Sequence, residues 1–242
     1  GTTYTDSVKG IVATMKSGNG GDLPQRSATG VTMVGDASKG GFLELALAGV
    51  TIGGPMTIEI VAKWSAFNIR ARIFDCGNSN AIGQGVDRII LSTLSPTPSQ
   101  VGKGEMSLNI HGPSSGNNYA QSGDNDLVLG VRYHIVATVA GELMTLYING
   151  VEKGSKINGV EPAVTTRAQC YIGKAIESNF AYLSGEVSSL KIYSGAMTQA
   201  QVAAAYQAAF PFLEYYWDFT GATEGTTYTD SVKGIVATMK SG

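Results

Sequence analysis

Residues 56–65 read Met-Thr-Ile-Glu-Ile-Val-Ala-Lys-Trp-Ser. Met56, Ile58, Ile60, Ala62 and Trp64 recur at a period of two, and Thr57, Glu59, Val61, Lys63 and Ser65 fill the alternate positions. In an extended chain these two sets point to opposite faces. One set is wholly apolar and the other mixed. The stretch therefore reads as a strand that buries one side in a core.

The same pattern repeats outward in both directions. Runs rich in Val, Ile, Thr, Tyr and Leu predict further strands near 11–16, 31–35, 42–47, 71–76, 88–93, 105–111, 133–140, 143–149, 168–174, 183–193 and 215–219. Met144, Leu146 and Ile148 alternate with Thr145, Tyr147 and Asn149. Asn149-Gly150 then supplies the two residues that a type I′ hairpin turn needs, joining this strand to Val151–Lys156. A helix is predicted only over Gln199–Ala209. Thr198 is its N-cap, Gln201 completes a capping box, and the run QAQVAAAYQAA is rich in helix formers. Many short strands and one late helix predict a sandwich or barrel rather than βαβ units.

The 242 residues include 32 Gly, are 43% hydrophobic and only 15% charged, and carry a formal net charge of −2. A real core is affordable, and wholesale disorder is not expected. No basic patch is strong enough to hold a phosphate backbone, so no nucleic-acid partner is expected. No run of about 18 apolar residues is present, so no membrane span is expected. No Asn-x-Ser/Thr acceptor occurs. Two cysteines, Cys76 and Cys170, sit in strand-like stretches. They read either as small buried apolar residues or as one disulfide of an oxidising compartment.

Residues Gly1 to Gly18 read GTTYTDSVKGIVATMKSG, and Gly225 to Gly242 read the same without one change. The offset, from position 1 to position 225, is 224 residues. A period of that length is a whole domain per repeat. One copy of the segment belongs either to the next module or to a neighbouring chain. The expected partner is therefore another copy of this protein, linked head to tail or by a shared end strand.

In that register the chain resembles a concanavalin A-like jelly-roll domain of the laminin G type. Tyr-Tyr-Trp-Asp-Phe-Thr-Gly (Tyr215 to Gly221) is similar to the opening strand, with Tyr-Thr-Asp-Ser-Val-Lys-Gly (Tyr4 to Gly10) as the loop that follows. Phe42 to Leu45 and Met56 to Trp64 resemble the next strands. Val131 to Val139 and Leu146 to Val151 resemble the most recognisable pair. Tyr171 to Lys174, Leu183 to Tyr193 and the helix start complete the order. The resemblance implies an all-β, two-sheet jelly-roll sandwich with one short C-terminal helix. It divides the chain into a sandwich over 1–214 that lacks its own first strand, and a first strand and loop of the next repeat or a neighbouring subunit over 215–242. Assembly would then run through Tyr215, Trp217, Phe219, Tyr228 and Asp230.

The resemblance also brings in glycan binding, calcium and, among relatives, glucanase activity. Retaining glycoside hydrolysis needs two carboxyls about 5–5.5 Å apart. The same-face partners of Glu59 are Val61 and Lys63, so that pair is missing and no enzyme activity is expected. Glycan binding needs polar groups beside aromatic platforms. The candidates off the core face are Glu59, Lys63, Asn109, His111, His134 and Tyr147, each of which reads first as part of a solvated sheet face. Calcium would need converging carboxylates, for which Asp75 and the cluster Asp124, Asn125 and Asp126 are the candidates; the cluster reads equally as a turn. The polar segment Ser95 to Glu105 reads as an exposed rim loop. The whole points to an extracellular structural or adhesive module repeated head to tail, with a carbohydrate-binding module as the alternative.

Overall fold

The computed structural model describes residues 2–47, 49–78, 87–93, 104–112, 118–210, 227–229 and 236–238. In chain order the strands are β1 (Thr3–Thr5), β2 (Val12–Gly18), β3 (Gln25–Ser27), β4 (Gly30–Met33), β5 (Gly40–Leu45), β6 (Thr51–Ile52) and β7 (Met56–Ala66). They continue as β8 (Arg72–Gly77), β9 (Arg88–Thr93), β10 (Met106–His111), β11 (Asn118–Gln121), β12 (Arg132–Ala140), β13 (Leu143–Ile148) and β14 (Val151–Lys156). After β15 (Thr165–Thr166), β16 (Gln169–Ile172) and β17 (Ser184–Ser194) comes α1 (Gln199–Ala209), and then β18 (Thr227–Thr229) and β19 (Val236–Thr238).

Two antiparallel sheets hold most of these strands. The first runs β1-β2-β5-β16-β8-β9-β10-β11, and the second β14-β13-β12-β7-β17-β4-β3. Their facing sides make one core, in which Trp64, Phe74, Met33, Met56, Ile58, Ile60, Ile73 and Ile89 are all fully buried. The apolar set of β7 points into that core, as its alternation requires. The predicted strands within the described residues agree with the observed ones to within a few residues, and the one predicted near 215–219 lies outside the described residues. The I′ turn is present, with φ of 51° at Asn149 and 81° at Gly150. The short strands β1, β3, β6, β11 and β15 carry too few alternations to be read beforehand.

Helix α1 has the bounds its sequence predicts, and both bonds of the Thr198–Gln201 capping box are made. Val202 and Tyr206 are its buried residues. Val202 packs with Val136 and Tyr147 on the outer side of the seven-stranded sheet. That side is therefore covered at Thr57, Glu59 and Val61, which corrects the solvated reading there, while Lys63 is half-buried and Ser65 exposed.

Cys76 and Cys170 are directly opposite each other on β8 and β16, with Cα atoms 4.0 Å apart, and are joined as a disulfide.

The repeated segment folds the same way twice. β1 pairs with β2 as Thr3↔Thr14, Tyr4↔Ala13 and Thr5↔Val12. β18 pairs with β19 as Thr227↔Thr238, Tyr228↔Ala237 and Thr229↔Val236. These are the same residue pairs displaced by the repeat offset. β1–β2 is the edge of the eight-stranded sheet, whereas β18–β19 is a ladder of its own. Of the assembly residues, Tyr228 lies on β18, while Tyr215, Trp217, Phe219 and Asp230 lie outside the described residues, as does most of the Ser95 to Glu105 segment.

Candidate functional site

The sequence candidates divide between the two outer faces of the sandwich. Glu59, Lys63, His134 and Tyr147 stand on the seven-stranded sheet, and Asn109 and His111 on the eight-stranded one. The core lies between them, so the six do not form one site.

Glu59 and His134 are neighbours across β7 and β12, and both are fully buried. Glu59 accepts hydrogen bonds from Lys191 Nζ and the Tyr193 hydroxyl, each at 2.7 Å, and His134 Nε2 lies 3.4 Å from its Oε1. The Tyr206 ring of α1 lies 6.0 Å from the imidazole. Burial alone would raise the Glu59 carboxyl, but His134, Lys191 and Tyr193 together hold it down from 4.5 to about 2. Burial, and then the Glu59 charge, push the Tyr193 hydroxyl up to about 12. Tyr147 is buried beneath Val202. Beside the end of α1 a cleft of about 340 Å³ is lined by Thr29, Arg132, Ser188, Lys191 and Phe210, among others. Its cations are already committed: Arg132 is bonded to Glu186 and Ser188, and Lys191 to Glu59.

This cluster makes a pH prediction. A carboxyl whose folded pKa is lowered stabilises the fold above its unfolded pKa, and that contribution is lost as pH falls through the folded value. The window here runs from about pH 4.5 down to about pH 2. Relative to Glu59→Gln, the wild-type chain is expected to lose roughly 2–3 kcal/mol across it, allowing for the half-exposed Lys191. Urea unfolding at a series of acid pH values checks this, and parallel curves for the two proteins would rule Glu59 out as the source.

The outer face of the eight-stranded sheet is of a different kind. At its centre Arg88 is fully buried. Its Nε donates to Asp75 Oδ1 at 2.7 Å, and its Nη2 donates to both Asp75 Oδ2 and Glu177 Oε2. Burial works against the guanidinium charge, but the two carboxylates hold its pKa above the ordinary arginine value. Arg72 donates to Ser92 Oγ at 3.0 Å and lies over the Phe180 ring. His111 is buried alongside, and burial, then Arg88 and Arg72, lower its pKa and favour the neutral imidazole. Among the described residues, Arg88 Nη1, Asn109 Oδ1, His111 Nδ1 and Glu177 Oε1 are buried without a hydrogen-bond partner.

Toward β5 and β2 the same face opens. The half-buried Tyr171 ring meets Phe42 edge to face at 5.4 Å, and Lys174 Nζ lies 4.4 Å from its centroid. Tyr171 is opposite Glu44, which is paired with Lys16 at 3.5 Å. Glu44 also lines a cleft of about 470 Å³, with Thr14, Asn78, Thr166 and Arg167 around it. This is an aromatic surface with charged groups beside it, joined through Glu44 to a cleft that also carries the Asn78 amide. Sequence reading passed over Tyr171, Lys174, Glu44, Arg72, Arg88 and Glu177. The signal it had was the alternation of β5 and β16, which puts Phe42, Glu44 and Tyr171 off the core.

The calcium candidates are not brought together as one carboxylate cluster. Asp75 is on β8 against Arg88. Asp126 is in the turn before β12, where Oδ2 accepts from the Gly123 N–H and Oδ1 from Lys153 Nζ, both at 2.7 Å. Asn125 adopts the left-handed turn conformation, with φ of 63°. Among the described residues no group of three or more His, Cys, Asp or Glu is placed to hold a metal. No helix among them is long and apolar enough to cross a membrane.

A family model described as the concanavalin A-like lectin/glucanases superfamily matches residues 37–203. No curated protein matches the sequence. Solved structures share the fold at low identity. Domain 4 of AbnA, a GH43 extracellular arabinanase from Geobacillus stearothermophilus, in complex with arabinotriose, is 17% identical with a TM-score of 0.55; the match covers 84% of this chain and 92% of that one. A Trypanosoma rangeli sialidase variant displaying trans-sialidase activity is 14% identical with a TM-score of 0.59, over 87% of this chain but only 31% of the sialidase. The Ruminococcus gnavus IT-sialidase CBM40, bound to α2,3-sialyllactose, is 12% identical with a TM-score of 0.51, over 63% of this chain and 83% of that one.

Proposed function

The chain belongs to the concanavalin A-like lectin/glucanases superfamily, and from that membership we propose that it is a carbohydrate-binding module of an extracellular protein. The observation that carries this reading is the open part of the eight-stranded sheet. There the half-buried Tyr171 ring has Lys174 over it and is opposite Glu44, and Glu44 in turn lines the cleft of about 470 Å³. A sugar ring stacks its C–H face on an aromatic ring and turns its hydroxyls to charged and amide groups beside it. Two of the similar structures are sugar complexes, with arabinotriose and with sialyllactose, which makes arabinan and sialylated oligosaccharides the first probes. The disulfide suits an oxidising compartment. We read the chain as a binder rather than an enzyme because the carboxylates on both outer faces are already engaged, Asp75 and Glu177 by Arg88 and Glu59 by Lys191 and Tyr193.

Tyr171→Ala is expected to weaken glycan binding at least tenfold, about 1.4 kcal/mol, with the domain still folded at the temperature of the measurement. Affinity electrophoresis through arabinan and titration with sialyllactose measure this. Binding that survives the substitution would place the site elsewhere, and no binding to any glycan would remove the reading.

The 18-residue identity supports a second reading, in which the domain is one unit of a structural or adhesive array. On that reading residues 1–214 are one module and 215–242 begin the next or complete a neighbour, with copies joined head to tail into a filament through shared end strands. The identical register of β1–β2 and β18–β19 favours it. Negative-stain microscopy tests it: beaded strings with one domain per step support an array, and dispersed single globules oppose it.

A further inference from the structure

We infer that Lys174 decides which glycans the Tyr171 platform accepts, favouring sugars that carry a carboxylate over neutral ones. The inference rests on the carbohydrate-binding reading and names its ligand class. Tyr171 and Lys174 are three positions apart, so in a straight strand their side chains would point to opposite faces. Gly173 prevents this. Its φ of 88° turns the chain at the end of β16, and a Cβ there would meet the Met33 sulfur. Lys174 is thereby returned to the Tyr171 side. The Phe42 and Tyr171 rings stand at 86° to each other. Lys174 Nζ fills the angle between them, 4.4 Å from the Tyr171 centroid and 5.2 Å from that of Phe42.

The surrounding charges leave this ammonium without a counterion. Glu44 is paired with Lys16, and Asp75 and Glu177 with Arg88. Among the described residues Lys174 Nζ makes no ion pair and no hydrogen bond, and the two rings hold it. Holding a cation on an aromatic face is worth roughly twofold to thirtyfold in an equilibrium. A sugar that stacks its C–H face in this angle lifts the ammonium off the rings. A neutral sugar forfeits that contact and returns no charge for it. A carboxylated sugar becomes the partner of the displaced ammonium, whose four-carbon stem lets it swing without moving the backbone. A hydrogen bond between opposite charges is worth roughly tenfold or more. Glu44, the carboxylate across from Tyr171, has its charge offset by Lys16 and so repels an acidic sugar only weakly.

The experiment is calorimetric titration of the full chain, wild type, Lys174→Met and Lys174→Arg, with three probes. These are sialyllactose, its methyl ester, which has nearly the same size without the charge, and the neutral arabinotriose. Wild type is expected to bind sialyllactose about tenfold tighter than the ester. Lys174→Met keeps the stem and loses the charge. It is expected to weaken sialyllactose about tenfold and to strengthen the ester or arabinotriose about threefold. Lys174→Arg is expected to keep the preference for the acid. Shifts of opposite sign are not produced by misfolding, which weakens all three probes together. The proposal is overturned, with the glycan reading left standing, if wild type binds the ester or arabinotriose as tightly as sialyllactose. It is also overturned if Lys174→Met leaves the preference intact or moves every probe the same way. A wild-type chain that binds none of the probes removes both the glycan reading and this one.

Discussion

Arg88→Ala is expected to destabilise the domain by about 3–5 kcal/mol, the range for breaking a buried ion pair by deleting one partner. The loss comes less from the missing attraction than from what remains behind. Asp75 takes two hydrogen bonds from Arg88 and Glu177 takes one. After truncation two buried carboxylates face each other, with Arg72 Nε, 3.8 Å from Asp75, as the nearest cation. Burial already pushes the Asp75 carboxyl up, and without Arg88 its protonation relieves a buried charge, so the variant is expected to recover part of its deficit as pH falls. A triple variant, Arg88→Met with Asp75→Leu and Glu177→Met, removes all three charges at similar volume and is expected to lie within about 1–2 kcal/mol of wild type. Urea unfolding at several pH values checks both. If Arg88→Ala costs under about 1 kcal/mol, the network contributes little to stability. If the triple variant is as damaged as the single one, packing rather than charge explains the loss.

That network also shows where sequence reading ran out. The alternation in Met56–Trp64, the Asn149-Gly150 turn and the capping box of α1 each depend on residues adjacent in the chain, and each is found as read. The site depends on residues far apart. Arg88 and Glu177 are separated by 89 positions, and Lys191 and Glu59 by 132. No period links such pairs, because strand order, not strand sequence, sets who sits beside whom. The burial of Glu59 and His134 was illegible for a related reason. Their strands look half solvated until α1 is laid across them, and nothing in QAQVAAAYQAA names the sheet it will cover. The repeat was the opposite case. Its identity was plain in the letters, but only the register shows that both copies make the same hairpin.

Removing the disulfide is expected to cost about 4 kcal/mol. Cys76 and Cys170 are 94 residues apart in sequence, and closing a loop of that size in the unfolded chain takes away about 4–5 kcal/mol of its conformational freedom. For a domain of this size that corresponds to a melting temperature lower by roughly 8–16 °C. Cys76→Ala with Cys170→Ala, and wild type under reductant, are expected to fall together, and reductant is expected to leave the double variant unmoved. Titration of two free thiols in the native protein, or a wild-type melt indifferent to reductant, would show that the pair does not act as a cross-link. The effect should also reach the binding face. Tyr171 follows Cys170 directly and is opposite both Glu44 on β5 and Asp75 on β8. β16 is thus the strand that carries the aromatic platform between the open cleft and the buried arginine network, and the disulfide fixes it to β8. Reduction is therefore expected to weaken glycan binding even at temperatures where the domain stays folded. A drop in affinity without unfolding would separate the positioning role of the bond from its role in stability.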